Sequence, residues 1–238
     1  MNTIASRLRM RIAVAAFFAV ALVGSAHAAI GDPPPGAIFD LATTNEHTGV
    51  LTTYQKFTTS FTATSNATYV SFAFRERPDF FAFDDVTVTE HGSNTNLIQA
   101  GDFEGLPANQ PGIPAPWRGW DQGGISFAGY VANGANTPCS PNAGGPVSGG
   151  NFWCDGSVEQ YDALFQLLST QTGHHYDITF YLGDNSNQVP TDPTIDMLVY
   201  AGDRLPDGSQ QVPEPGTLSL LGTAAASLGG VLRRRLLG

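Results

Sequence analysis

Two stretches of strict alternation, Thr68 to Phe74 and Tyr176 to Leu182, constrain the fold of this chain more than any other feature. In the first stretch Val70, Phe72 and Phe74 fall on one face, and in the second every other residue from Tyr176 is apolar. A period of two gathers apolar side chains on one face of a β-strand, whereas a helix needs a period of 3.6. Each stretch therefore predicts a strand with one face in a core.

Other β-rich segments recur along the chain between turns rich in Gly, Pro and Asn, with no convincing amphipathic helix. About eight strands in this arrangement predict an all-β fold, a single β-sandwich of the jelly-roll type. Tyr161 to Ser169 fits a strand or a short helix. The predicted segments are Lys56 to Thr64, Thr68 to Phe74, Phe80 to Thr89, Asn96 to Glu104, Gly124 to Ala132, Tyr161 to Ser169, Tyr176 to Leu182 and Ile195 to Tyr200.

The N-terminus has the composition of a secretory signal peptide. Three arginines precede the apolar stretch Ile12 to Val23, and Ala26-His27-Ala28 follows it. A basic region, an apolar region and a small-x-small cleavage site in this order are typical of export signals. We expect a signal helix over residues 1–28, removed after Ala28, and a loose Pro-rich lead-in over residues 29–36.

The C-terminal segment joins three features in a fixed order. Val212-Pro213-Glu214-Pro215 is followed by an apolar run, Gly216 to Leu232, and then by Arg233-Arg234-Arg235. The prolines hold the motif extended, and a run of about 17 residues is short for a membrane span. The arginines would keep that end in the cytoplasm. A C-terminal hydrophobic helix acting as a simple membrane anchor is one interpretation.

The same three features resemble the PEP-CTERM sorting signal of exported bacterial proteins. The resemblance covers residues 212–238, so it implies a destination for the chain rather than an activity. It implies that an exosortase-type transpeptidase cuts the tail after a transient stage in the inner membrane. It also implies a final place at the cell surface or outside the cell, in a bacterium that makes exopolysaccharide, so that polysaccharide is a candidate partner.

The part between the two ends is strongly acidic. We assign residues 37–205 to the sandwich and 206–211 to a linker. The body has 20 acidic residues and a net charge of −15, against −10 for the whole chain, because only five basic residues lie in it: Lys56, Arg75, Arg77, Arg118 and Arg204. Such a surface repels nucleic acid and anionic lipid. It suits a solvated surface protein or one that binds a cation or a neutral glycan.

Cys139 and Cys154 are the two cysteines of the chain. An exported protein meets an oxidising compartment, which favours a disulfide between them. Their spacing fits neither a CxxC redox motif nor a zinc ligand set. The segment between them is rich in Gly, Pro, Ser and Asn, so a disulfide would order it.

Three further segments of the body resemble a galactose-binding-like jelly roll of the carbohydrate-binding-module type. They are Asn96 to Glu104 with Trp117 or Trp120 downstream, Gly173 to Phe180, and Tyr54 to Val88. The segments that close the fold in that family come first here. The resemblance therefore implies a circularly permuted domain, with Glu90 to Thr95 as the link between the old ends.

Asp84, Asp85 and Glu104 are the candidate metal ligands. Acids flanked by apolar strand residues are costly to bury without a partner, and no lysine or arginine lies near them in sequence. Ca²⁺ accepts carboxylate and backbone oxygens. The resemblance implies a structural Ca²⁺ held by Glu104 with Asp85 or Asp84 and by carbonyls near Asn96 to Gly101. The alternative is exposed acids at a sheet edge.

Trp117, Trp120, Tyr130 and Trp153 are the candidate ligand-binding residues, because exposed aromatic faces stack on sugar rings. Asp121, Gln122 and Asn151 are close in sequence and would bond sugar hydroxyls. The alternative is that the tryptophans cap the core, where most tryptophans lie.

Catalytic motifs are missing from the sequence. There is no nucleophile elbow, zinc-protease motif or phosphate-binding loop. His174-His175 lacks a third ligand at a suitable spacing, and Asp184 to Asn187 lacks the later residues of a calcium loop, so both predict turns. The sequence predicts a non-catalytic exported surface or matrix protein. A lectin-like module and a glycan hydrolase with paired carboxylates are the alternatives.

Overall fold

The computed structural model describes residues 32–44, 51–76, 79–122, 129–134, 139, 145–158, 160–184 and 195–206. These ranges contain strands, turns and loops but no helix. None of them holds a helical segment long and apolar enough to cross a membrane. The strands are β1 (Phe39–Asp40), β2 (Gln55–Thr62), β3 (Ala67–Glu76), β4 (Phe81–Glu90), β5 (Arg118–Asp121), β6 (Tyr130–Asn133), β7 (Asn151–Asp155), β8 (Asp162–Ser169), β9 (His175–Asp184) and β10 (Ile195–Gly202).

The strands form two antiparallel sheets of five strands each. The first sheet has the order β1-β10-β3-β8-β5, and the second has the order β2-β9-β4-β7-β6. The pairs are nested, because β1 pairs with β10, β2 with β9, β3 with β8 and β4 with β7. Successive pairs alternate between the sheets, so the second half of the described chain folds back on the first.

The core lies between the two sheets and is rich in phenylalanine. The alternation in β3 and β9 is confirmed, since Phe72 of β3 and Phe180 of β9 are both fully buried and their ring centroids lie 5.9 Å apart. Phe83 of β4 contacts both rings. This burial of aromatic area is the main source of stability, at about 25 cal/mol per Å² of apolar surface.

The outer face of the first sheet is also covered, which a simple alternating strand does not predict. Tyr69, Trp120, Tyr161, Tyr200 and Leu205 form a second buried cluster there. The Trp120 indole N–H donates to the Ser71 hydroxyl at 2.7 Å. As a result, nine of the ten residues of β3 are buried, including both of its faces.

The predicted strand from Asn96 to Glu104 is wrong, because this segment is a loop with a single bridge at Asn96. The Asn96 side chain accepts hydrogen bonds from the Val88 and Ile98 amides and so folds the chain into a turn. Ala100 and Phe103 have φ of 48° and 55°, which lie outside the β region of a regular strand. Hydrogen bonds between the Asn96 side chain and nearby backbone amides take the place of the strand-to-strand hydrogen bonds of a sheet.

The described ranges contain ten strands where the sequence predicts about eight. The short strands β1, β5 and β7 were not predicted, and Tyr161 to Ser169 is the strand β8 rather than a helix. The last residues of the predicted strand from Gly124 to Ala132 coincide with β6. Residues 124–128 of that prediction lie outside the described ranges. The signal helix and the C-terminal helix also lie outside them.

The predicted disulfide between Cys139 and Cys154 is present, with the two Cα atoms 5.8 Å apart. Cys154 belongs to β7, and both cysteines are fully buried against the outer face of the second sheet beside Ala82 and Phe152. The bridge therefore ties residue 139 to a central strand pair. Closing a loop of 15 residues stabilises the fold by about 3 kcal/mol in the chain-entropy model.

Candidate functional site

A cavity of about 540 Å³ opens on the outer face of the second sheet. Its floor is built by cross-strand neighbours, since Lys56 of β2 pairs with Tyr181 of β9, and Thr179 of β9 pairs with Thr87 of β4. Side chains at paired positions share a face of a sheet. The inward face of the same strands carries the phenylalanines of the core, so the floor rests on a rigid layer.

The wall of the cavity is the loop from Asn96 to Asp102, packed on a bulge in β4. The β4–β9 register shifts between Asp84 and Thr87, and the Val86 amide donates to the Gly101 carbonyl at 2.9 Å. A Cβ at Gly101 would collide with the Val86 carbonyl, so only glycine permits this approach. Bulges of this kind re-aim side chains beside functional sites.

Two residues that line the cavity have left-handed backbone conformations. Asp85 has φ of 51° and Ala100 has φ of 48°. Such conformations cost about 1–3 kcal/mol for residues other than glycine and persist where the surroundings enforce them. Asp85 is held by the Ser148 hydroxyl, which donates to its carboxylate at 2.8 Å. The rim of the cavity is therefore fixed in shape.

The three acids predicted as metal ligands all contact the glycine-rich segment 145–151. Asp84 accepts a hydrogen bond from the Val147 amide at 2.8 Å, and Asp85 accepts one from Ser148. Glu104 accepts two, from the Gly150 and Asn151 amides at 2.6 and 2.7 Å. The backbone N–H groups and the Ser148 hydroxyl hydrogen-bond the three carboxylates and hold the segment against β4 and the loop at Glu104.

Asp84 is the most buried of these acids. Burial raises its pKa from 3.8 to about 7, although the Val147 and Asp85 amides lower it. Its carboxyl thus carries only part of a charge near neutral pH. In the ranges that the structure describes, no three His, Cys, Asp or Glu side chains come together in a group that would hold a metal ion.

The tryptophans predicted to stack on sugars are buried. Trp117 and Trp153 lie in the core on either side of Phe103, with centroids 5.5 and 6.4 Å from its ring. Trp120 lies under Tyr200 on the first sheet. Their faces are filled by protein, so the interpretation as exposed sugar platforms does not hold for them. The alternative, that they cap or fill the core, describes their positions.

Tyr130 is half-buried and packs beside the disulfide on the second sheet. Of the residues expected to assist the tryptophans, Asn151 bonds the Phe103 carbonyl and Gln122 bonds the Asp32 carbonyl. Both side chains therefore serve the fold.

Three of the five histidines, His91, His174 and His175, form a surface cluster beside the turn before β9. His174 pairs with Glu90 at 2.6 Å, and Asp177 lies 2.9 Å from His91 and 3.8 Å from His175. The side chains are exposed. Their solvent exposure fits the expectation for His174-His175, but the turn itself lies at residues 172–173 and His175 begins β9. Of the predicted turn at Asp184 to Asn187, only Asp184 is described, at the end of β9.

Buried carboxyl groups that the sequence did not reveal lie at one end of the sandwich. Phe81, a core residue, is the register partner of both Asp155 and Asp184. Glu76 is paired with Ile195, which is also in the core. All three acids are fully buried, and the registers direct them inward. The only signal in the sequence is their place at strand ends.

Glu76 is the least compensated of these groups. In the described part of the chain neither carboxylate oxygen has a hydrogen-bond partner. Burial, and then the charge of Asp184, raise its pKa from 4.5 to about 9. The backbone amide of Asp79 lowers the pKa in part. Burial likewise raises the pKa of Asp155 to about 6.

The described chain is thus an all-β sandwich with a polar cavity and an acidic surface. Residues 211–235 match the family model of the PEP-CTERM protein-sorting motif. This match contains the predicted sorting residues Val212, Pro213, Glu214, Pro215 and Arg233 to Arg235, which lie outside the described ranges. The motif indicates an exported protein that an exosortase processes, with a place at the cell surface or outside the cell. Comparisons with curated proteins and with solved structures gave no match.

Proposed function

We propose that this protein is a non-catalytic component of the cell surface or extracellular matrix that associates with exopolysaccharide. The observation that carries the proposal is the sorting motif at residues 211–235. The motif supports delivery through a membrane-anchored intermediate, followed by cleavage near Pro213-Glu214-Pro215. A net charge of −15 on the body keeps such a protein soluble and away from anionic lipid once it is released.

The architecture supports a structural role in this setting. Two five-stranded sheets, a phenylalanine core and a buried disulfide give a body that is held together by its own packing and one covalent crosslink. We also propose that the sandwich is a jelly roll. Four nested antiparallel pairs that alternate between two sheets support it, because a long hairpin folded over itself produces this pairing.

The permuted relation to carbohydrate-binding modules remains part of this proposal. The turn at residues 91–95 supports it, because it joins β4 to the loop at Asn96 in a few residues, as the expected link would. A structural Ca²⁺ beside Asp85 and Glu104 is a further proposal. The place of Asp85 beside the 96–102 loop supports it, and the hydrogen bonds that the Ser148 hydroxyl and the Gly150 amide donate to Asp85 and Glu104 oppose it.

A lectin-like function is the second candidate, and the cavity over the second sheet favours it. The tryptophans are buried, so they do not present the aromatic surface on which a sugar ring would stack. Lys56, Tyr181 and the residues around them are placed at an open surface instead.

Co-sedimentation tests the proposed function. The protein is followed in the extracellular fraction of the producing bacterium and of a mutant that makes no exopolysaccharide. We expect it to sediment with the matrix of the first strain and to stay in the supernatant of the second. Equal distribution in both strains would contradict an association with polysaccharide.

A further inference from the structure

We propose that the cavity over the second sheet binds one neutral sugar residue of a polysaccharide. This proposal rests on the proposed function, since it names the site through which the protein would contact the matrix. The site is the space between Lys56, Tyr181 and Thr179 on its floor and Asp85 and Asp102 on its wall. None of the residues predicted from the sequence as sugar ligands belongs to it.

The dimensions fit a small ligand. A cavity of about 540 Å³ lies in the range of about 300–1,000 Å³ that holds small molecules. Its floor consists of strand side chains and its wall of a single loop, so one side faces solvent. A sugar residue that remains joined to a longer chain needs such an open side.

The lining groups suit a polyhydroxylated ligand. Asp85 and Asp102 supply carboxylate acceptors, Lys56 supplies an ammonium donor, and Thr87 and Thr179 supply hydroxyls that act as either. Tyr181 is half-buried on the floor, next to Lys56 in the register. Its ring offers an apolar face for the C–H side of a sugar, and its hydroxyl is a further partner.

The charge of the site selects for a neutral ligand. Two carboxylates and one ammonium group line it, and the surrounding body has a net charge of −15. Both repel a phosphate, a sulfate or a uronic acid.

The cavity is formed before a ligand arrives. The bulge between Asp84 and Thr87, the left-handed Asp85 and Ala100, and the contact between Gly101 and Val86 fix the wall on β4. A site held in its binding shape loses less conformational entropy on association. This placement of strained backbone around one cavity is the reason for assigning a ligand to it.

Lys56 provides a direct probe, because it is the only lysine in the chain. The full chain is produced in its host with isotope-labelled lysine, so that its side chain gives one NMR signal. The probes are oligosaccharides from mild hydrolysis of the host's own exopolysaccharide, separated by anion exchange into neutral and acidic fractions. We expect the neutral fraction to shift the Lys56 signal in a saturable way and the acidic fraction to leave it unchanged.

Tyr181→Ala and Ser60→Ala form the matched pair of variants. Ser60 lies on β2 and Tyr181 lies on β9, so both belong to the second sheet. Ser60 is exposed and lies outside the cavity. We expect Tyr181→Ala to weaken binding about tenfold and Ser60→Ala to leave it unchanged. Equal binding in both variants, a shift caused only by the acidic fraction or by CaCl₂, or no shift at millimolar neutral sugar would overturn the proposal.

Localisation separates this proposal from the function on which it rests. Tyr181→Ala should reach the cell surface with the same processed tail as the wild type, because the sorting motif is intact. If sugar binding is absent while the protein still sediments with the matrix, the cavity proposal fails alone. If binding is present but the protein never leaves the inner membrane, the proposed function fails alone.

Discussion

Replacing Glu76 with glutamine should make the stability of the sandwich much less sensitive to alkaline pH. Glu76 is fully buried, its two oxygens have no hydrogen-bond partner in the described chain, and its pKa is raised to about 9. The folded protein therefore keeps a proton that the unfolded chain releases above its ordinary pKa of 4.5. Since the folded state binds more protons between these two values, stability falls as the pH rises through this window.

The size of the effect follows from the linkage relation. One proton bound only in the folded state changes the free energy of unfolding by about 1.4 kcal/mol per pH unit. The raised pKa values of Asp155 and Asp84, about 6 and 7, add similar losses at lower pH. Between pH 7 and pH 9 Glu76 dominates. The wild type should lose about 2 kcal/mol across this interval, and Glu76→Gln should lose little.

Urea unfolding followed by tryptophan fluorescence at pH 7, 8 and 9 measures this difference. Asp102→Asn is the control, because Asp102 is exposed and its removal should leave the slope unchanged. The reasoning is refuted if Glu76→Gln loses stability with the same slope as the wild type. It is also refuted if Glu76→Gln is far less stable at every pH, since that would mean that the charged carboxylate is needed.

Three further predictions concern the disulfide, the core and the proposed metal. Changing both Cys139 and Cys154 to serine should lower the free energy of unfolding by about 3 kcal/mol. Reducing agent should then have no further effect on the variant. A variant as stable as the wild type, or one that reducing agent destabilises, would contradict this prediction. Trp117→Ala should cost about 3–5 kcal/mol, because it removes a buried indole and its bond to the Ala100 carbonyl; a cost below about 1 kcal/mol would show that the indole is not packed. If Ca²⁺ binds beside Asp85, millimolar Ca²⁺ should raise the Tm of the wild type but not of Asp85→Asn, and an unchanged wild-type Tm would dismiss the metal.

Much of the sandwich was predictable because β3 and β9 carry their burial pattern in the sequence. The alternation around Phe72 and Phe180 specifies which face is inside, and the spacing of the turns specifies how the strands repeat. Cys139 and Cys154 were predictable as a pair because an oxidising compartment leaves them few alternatives. The tail was predictable because its motif is read as a linear sequence.

The remainder depends on contacts that are distant in sequence. Asn96 to Glu104 has β-forming composition, yet the side chain of Asn96 and two left-handed residues turn it into a loop. Trp120 lies among polar and glycine residues, and only the cluster around Tyr161 and Tyr200 explains its burial.

The candidate site was the least predictable part. Lys56, Thr179 and Thr87 belong to three strands, and the register that joins them is set by the nested pairing rather than by local sequence. Asp85 was singled out for its unusual place in an apolar strand. In the structure Asp85 lies in the β4 bulge, and a bulge cannot be recognised from the alternation of apolar residues in the sequence.

Intact mass and cellular location show whether the C-terminal motif directs cleavage and export of this protein. The chain is produced in its own host either unchanged or with Pro213, Glu214 and Pro215 replaced by alanine. We expect the unchanged protein to lose a segment at its C-terminus near this motif and to reach the cell surface or medium, while the variant stays full-length in the membrane. If both proteins keep the tail and remain in the membrane, the segment is an ordinary anchor and the account of sorting is wrong.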